Sequence, residues 1–227
     1  MPLVIDHVLI GSLRPLGRRA LLSGIAKYVV NGVADLTVKG FVGDEQGDEK
    51  NHGGPEKAVH HYAHEHYPRW TNLIGERAVL KRPGAFGENL STTGLTETDV
   101  AVGDTFKLGG AIIQVSQGRQ PCWRLNTRFE TADMALQVQN SGMTGWYYRV
   151  LQPGRVYAGN ELELIDRLSP EWTIRRLWYA FYVDRMNVNE LSQIARLAHL
   201  SEKWKEYARK RVASGQVEDW EKRLKPP

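Results

Sequence analysis

Glycine divides this chain more sharply than any other residue. Of its 22 glycines, all but Gly215 lie at or before Gly159. Glycine supplies the positive φ of tight turns at little cost and weakens helix interiors. The first part is therefore suited to short, frequently turning strands and the last part to helices. Charge changes in the same region: residues 1–169 carry 18 Lys+Arg and 18 Asp+Glu, so the formal net charge of +4 belongs to residues 170–227, with 12 against 8. A balanced body is not a basic nucleic-acid binder, and the tail has no clear basic recognition face, so nucleic acid is not an expected partner.

Runs rich in β-branched and aromatic residues alternate with turn residues before the break, as in all-β barrels and sandwiches. Ile25 to Val30 leads through Asn31-Gly32 to Val33 through Val38, and Asn-Gly is suited to a two-residue hairpin turn. A second hairpin is predicted between Thr105–Leu108 and Ala111–Val115 across Gly109-Gly110. Further strands are predicted over 4–10, 58–62, 147–151 and 161–165. Two helical insertions are predicted over 65–74, with Pro68 acceptable only in the opening turn, and over 131–140, stopped at Ser141-Gly142. Three helices are predicted in the tail, over 171–183, 188–199 and 202–214, with Ser169, Asn187 and Ser201 as caps. In the second, Val188, Leu191, Ile194, Ala195 and Ala198 share one face.

A single cysteine excludes an internal disulfide and needs no oxidising compartment. No apolar run reaches the ~20 residues of a membrane helix, and no basic region followed by a long apolar one opens the chain, so a cytoplasmic protein with no membrane partner is expected.

Several islands carry chemistry. Five of the seven histidines, His52, His60, His61, His64 and His66, fall within fifteen positions. On a strand His60 and His61 point to opposite faces, and no HExxH pattern occurs, so the spacing argues against a protein-only zinc site. The segment from Gly43 to Val59, containing His52-Gly53-Gly54 and Lys57, has two readings. Adjacent glycines and a lysine can cradle a phosphate, and an acidic, glycine-rich connection can equally be only a connection. Glu88 and Asn89 beside Gly87 can bind a polar ring or cap a turn. Cys122, in Arg119-Gln120-Pro121-Cys122-Trp123-Arg124, is presented by a stiff segment between two arginines that favour a thiolate. It is either an inert buried thiol or a functional one, as a nucleophile or a soft metal ligand.

These islands, in this order, resemble the MOSC domain family, named for the carboxy-terminal domain of molybdenum cofactor sulfurases, and within it the stand-alone YiiM-like branch. The resembling stretches are 11–16, 23–27, Gly43-Asp44, His52-Gly53-Gly54, Lys57-Ala58-Val59, Phe86 to Leu90, Gly103-Asp104 and Arg119 to Cys122. Gly118 departs from the pattern, standing where relatives often carry proline. The resemblance implies a mostly β fold: a MOSC-type β-barrel with short helical insertions over residues 1–168, followed by a small three-helix extension over 169–227.

It also implies a molybdenum cofactor, in which a pterin dithiolene holds the metal and Cys122 adds the protein ligand. His52, Gly53, Lys57, Val59, Asn89, Arg119 and Lys27 are the residues that the resemblance and the islands place around that cofactor. The implied activity is reduction of small N-hydroxylated compounds, including hydroxylamino base analogues, to amines. No flavin or haem motif occurs, so a separate reductase is the expected electron source. Two alternatives use the same residues: a cofactor carrier without turnover, and a Cys122-dependent hydrolase. The family islands end before Leu168, so a chain ending near Asp166 is expected to keep the cofactor, provided the exposed barrel surface does not make it aggregate.

Overall fold

The structure, a computed structural model, describes residues 2–47 and 53–226. Strands β1 (His7–Ile10), β2 (Arg14–Leu16), β3 (Leu21–Ser23), β4 (Tyr28–Val29), β5 (Ala34–Thr37) and β6 (Gly40–Phe41) precede a 3-10 turn at Pro55–Lys57. After it come β7 (Val59–Ala63), helix α1 (His66–Ile74), β8 (Leu90–Thr92), β9 (Thr105–Leu108) and β10 (Ala111–Gly118). Helices α2 (Arg124–Phe129) and α3 (Met134–Ser141) then lead to β11 (Trp146–Gln152), β12 (Gly154–Val156) and β13 (Leu162–Asp166). The tail holds α4 (Ile174–Tyr182), α5 (Val188–Ile194), α6 (Glu202–Ser214) and α7 (Glu221–Leu224).

Eight strands form one curled sheet in the order β13-β9-β10-β11-β7-β8-β1-β4. Among the described strands only β7 and β8 pair in parallel. The curl brings the two ends of the sheet together: Val4, just before β1, bridges Glu161, just before β13. This is the barrel-like, mostly β architecture expected from the sequence. The hairpin across Gly109-Gly110 forms as expected, with Leu108 opposite Ala111.

The hairpin expected at Asn31-Gly32 does not form. β4 pairs with β1, while β5 pairs with β6 and β12 in a separate three-stranded sheet. Gly32, at φ 102°, redirects the chain between sheets. Which face of a strand is buried outweighs local turn chemistry: Ala34 and Leu36 enter the main core while Asp35 between them stays exposed.

Pro68 lies in the first turn of α1, where a missing N–H costs nothing. Gly142 ends α3 in the left-handed conformation at φ 73°. In the tail, Thr173 rather than Ser169 caps the first helix, accepting from the Arg176 amide at 3.1 Å. Asn187 caps α5 as expected, accepting from Glu190 N at 3.2 Å. That helix stops at Ile194, short of the expected His199, and α6 follows the predicted span. Ser201 occupies the cap position of α6 without a side-chain hydrogen bond.

One apolar core joins sheet and tail. Ile174, Leu177 and Phe181 of α4, Leu191 and Ile194 of α5, and Trp204 and Ala208 of α6 are buried with Phe106, Ile113, Val115, Trp146 and Tyr148 of the sheet. A second cluster, with Tyr62, Trp70, Phe86, Leu125, Phe129 and Val138, packs α1, α2 and α3 together. Arg211 is also buried, donating to the carbonyls of Phe181 and Arg185 and to the Glu218 carboxylate. Among the described residues no helix is long and apolar enough to cross a membrane.

His61 titrates against this core. Its ring lies between the hydroxyls of Tyr148 at 2.9 Å and Thr92 at 2.8 Å, and burial lowers its pKa from 6.5 to about 3. Between those values the unfolded imidazole is protonated and the folded one is not, so stability falls as pH falls through that window. His61 alone is expected to contribute a slope of ~1.4 kcal/mol per pH unit. Urea unfolding between about pH 6 and pH 4 should show a shallower pH dependence in His61→Gln than in the parent. Identical slopes would contradict this assignment.

Candidate functional site

The ladder of β10, β11 and β7 builds the floor of the site. His60 on β7 is opposite Tyr147 on β11 in an antiparallel pair, so the two rings share one face, with centroids 5.0 Å apart. Their neighbours His61 and Trp146 are paired on the opposite, core face. The alternation expected at His60-His61 is thus realised, with one histidine at the site and one in the core. β10 ends at Gly118, whose hydrogen atoms face Trp204 and Ile174 of the tail. The chain then runs through Arg119 to Cys122 and turns into α2, with Leu125 N donating to the Cys122 carbonyl at 3.0 Å.

A pocket open to solvent lies over this floor. Lys27, Lys57, Asn89, Arg119 and Cys122 line it together, although the sequence spreads them over nearly a hundred positions. Ser23 to Ile25, Glu45 to Gly47, Phe86 and Gly87 form its rim, with Gln120 and Arg124 on the Cys122 side. Glycine is required at one of these close approaches: a Cβ on Gly24 would lie 1.8 Å from the Glu45 carbonyl oxygen.

Arg119 is only 6% exposed. Its Nη2 donates to the Phe86 carbonyl at 3.3 Å and its backbone N–H to Gly145 O at 3.0 Å. Among the described residues its Nη1 has no hydrogen-bond partner. A buried cationic donor left unpaired is costly, which marks this atom as prepared for an acceptor from outside the chain. His60 presents a second atom, Nε2, with no partner among the described residues. Burial, reinforced by the Arg119 charge, holds the His60 pKa well below the usual histidine range, so the ring is neutral. Burial raises the Tyr147 pKa against the pull of Arg119, so its phenol keeps its proton.

The other expected binding residues divide into groups. Lys27 lines the pocket, but its ammonium is ion-paired with Asp44; burial lowers its pKa and Asp44 opposes that shift. Asp44 also accepts from Gly11 N at 2.8 Å and from Asn89 Nδ2 at 2.8 Å. Asn89 is equally committed. It donates to Leu9 O at 3.1 Å and accepts from His60 N at 3.1 Å, so its side-chain amide holds the strands in place. Val59 is fully buried in the main core, and neither it nor Gly53 lines the pocket. His52 lies outside the described residues. Glu88 is a loop brace, accepting from Gly84 N at 2.7 Å, Phe86 N at 3.0 Å and the Tyr67 hydroxyl. His66 pairs with Glu97 at 2.7 Å and His64 stacks on Tyr67, both away from the pocket lining.

Sequence reasoning missed His60 and Tyr147 as site residues, and also the return of the chain end. His60 and Tyr147 meet through a ladder register that no local pattern encodes. The short helix α7 lays the chain end along the cysteine segment: Trp123 N donates to Arg223 O at 2.8 Å and Asn126 Nδ2 to Leu224 O at 2.9 Å. The Arg223 guanidinium donates in turn to Pro121 O and to Gln139 Oε1. Four residues are too few to show helical periodicity.

Comparisons with known proteins agree with this architecture. The MOSC domain model matches residues 48–163, and a model of the YiiM-like, 3-alpha helix domain matches residues 172–215. Protein YiiM of Escherichia coli is 44% identical over 206 residues, covering 89% of this chain and 90% of that protein. The crystal structure of YiiM from Escherichia coli superposes with a TM-score of 0.81, covering 95% of this chain and all of that one, at 38% identity. A protein of Gibberella moniliformis named as a reductase is 33% identical over 178 residues, which are 78% of this chain but only 32% of that protein. MOSC domains are associated with the molybdenum cofactor, and the single cysteine of this chain, Cys122, is buried among the residues that line the pocket. The chain belongs to the MOSC domain family, in its YiiM-like branch.

Proposed function

We propose that the chain binds a molybdenum cofactor in this pocket, with the Cys122 sulfur as the protein ligand to molybdenum, and reduces N-hydroxylated compounds to amines. The observation that carries this reading is the meeting of Cys122 and the unpartnered Arg119 Nη1 in one pocket. The residues fit the group. Cys122 offers a soft donor for a soft-ligand metal, and Arg119 and Lys57 offer cationic donors for its phosphate. The reductase name borne by the fungal relative supports the same class of reaction.

When bound, the cofactor supplies two-electron removal of oxygen from an N–OH group, which the protein itself cannot perform. The chain positions the reactants and handles protons. Arg119 holds the anionic part of the cofactor. Tyr147, which keeps its proton, donates a hydrogen bond toward the departing oxygen. Neutral His60 offers Nε2 to the ring edge of the cofactor without adding charge. Reduction consumes two electrons and two protons and releases water. A separate reductase delivers the electrons.

Arg119→Ala tests the binding part of this reading. It is expected to weaken cofactor retention by ~1.5–3 kcal/mol, the usual value of a charge-assisted hydrogen bond. Molybdenum content after dialysis against a chelator measures the loss. Retention equal to the parent would remove Arg119 from the phosphate site. Turnover of an N-hydroxylated substrate with an artificial reductant separates the enzyme from a carrier, which would hold the cofactor and turn nothing over.

A further inference from the structure

A second cavity, open to solvent, adjoins the cofactor pocket, and Cys122 and Tyr147 line both. The tail builds the outer wall of this second cavity with Lys203 and Tyr207 of α6 and Lys222 of α7, facing Trp123. None of the described lining residues is acidic.

The arrangement of charge on the tail is asymmetric. Glu202 pairs with Lys205 and Arg209, Glu206 with Lys210, and Glu221 with Lys225. The carboxylates closest in sequence to Lys203 and Lys222 are therefore satisfied by other cations. No ion pair joins Lys203 or Lys222 to a carboxylate among the described residues. Both ammonium groups are left to meet an anion at the cavity mouth. Trp123 and Tyr207 add flat aromatic surface to the same wall, suited to stacking a planar ring.

We infer that this cavity selects its substrate by a phosphate group: Lys203 and Lys222 bind the phosphate of a nucleoside monophosphate while its base lies against Trp123, toward Cys122. The inference deepens the reading of the preceding subsection and rests on it for the reaction. It assigns the N-hydroxylated substrate to the nucleotide class and gives the helical extension a role in specificity. An acidic partner protein would be attracted by the same lysines, but a concave wall that ends at Cys122 suits a small molecule entering the site.

The test measures binding of adenosine 5′-monophosphate, adenosine and inorganic phosphate to the full chain by calorimetry, in the parent and in the double variant Lys203→Ala/Lys222→Ala. Both side chains are solvent-exposed, so the variant is expected to fold. In the parent, the monophosphate should bind at least about tenfold more tightly than either adenosine or phosphate, because two cations and a stacking surface act together. That advantage should shrink with added salt and largely vanish in the double variant. Equal affinities for monophosphate and adenosine, or an advantage that survives in the variant, would overturn the inference. Phosphate binding as tightly as the monophosphate would also overturn it. So would a variant defect confined to electron delivery by a protein reductase, which would give the lysines to the donor. Reduction with an artificial reductant is measured on the same preparations. If it is absent while the binding difference persists, the reductase reading fails and the nucleotide site stands.

Discussion

Cys122→Ser is expected to fold and to lose reduction of N-hydroxylated substrates by more than about 100-fold. Groups that merely orient metal ligands cost roughly 10–100-fold when removed, and the ligand itself should exceed them. A serine hydroxyl is a hard donor that poorly replaces a soft thiolate. The phosphate contacts proposed for Arg119 and Lys57 do not involve Cys122, so the variant is expected to retain part of the pterin. An inert core thiol would behave differently: Ser would cost some stability by placing a hydroxyl at a buried position and leave turnover intact. A hydrolytic nucleophile would lose a metal-independent activity instead. Circular dichroism, molybdenum content and turnover on one preparation separate the three. Full turnover by the folded, molybdenum-loaded variant would withdraw Cys122 as the ligand.

Ending the chain at Asp166 is expected to give an insoluble or unfolded product, because the condition that the exposed barrel surface not aggregate is not met. The deletion removes Trp172, Ile174, Leu177, Phe181, Leu191, Ile194, Leu200 and Trp204 from the core that they share with the sheet. Burial of a large apolar side chain is worth about 1.5–3 kcal/mol, and the net stability of a domain is only about 5–15 kcal/mol. Loss of eight such residues, about 12–24 kcal/mol of burial, matches or exceeds that margin, and the uncovered sheet face would aggregate. The deletion also removes Arg223, which braces Pro121 next to the cysteine. Soluble expression and a cooperative thermal transition measure the outcome. A soluble, cooperatively folding truncation that retains molybdenum would show that the helices are dispensable to both core and site.

The parts of the fold that were legible in the sequence are those governed by local chemistry. Gly109-Gly110 turns a hairpin because its flanking strands are buried together, Gly142 stops a helix, and Asn187 caps one. Asn31-Gly32 carries an equally strong turn signal and joins no hairpin, because burial of Ala34 and Leu36 assigns the next strand to another sheet. Non-local pairing decided the outcome there, and no local window contains it.

The candidate site shows the same division. Cys122, Arg119 and Lys57 were visible as reactive or charged residues in stiff or glycine-rich segments, and they meet in one pocket. Lys27 and Asn89 were visible for the same reasons, yet Asp44 commits both to holding the pocket wall. Such pairing depends on residues far apart in sequence. His60 and Tyr147 were overlooked as a pair because their chemistry arises from the ladder register that places their rings on one face.

The central claim is that this pocket holds a molybdenum cofactor. The most direct test is elemental analysis of the full chain purified from a host that makes the cofactor. The account predicts molybdenum approaching one atom per chain, released together with the pterin on denaturation. Folded protein from the same host with no molybdenum and no pterin would contradict it.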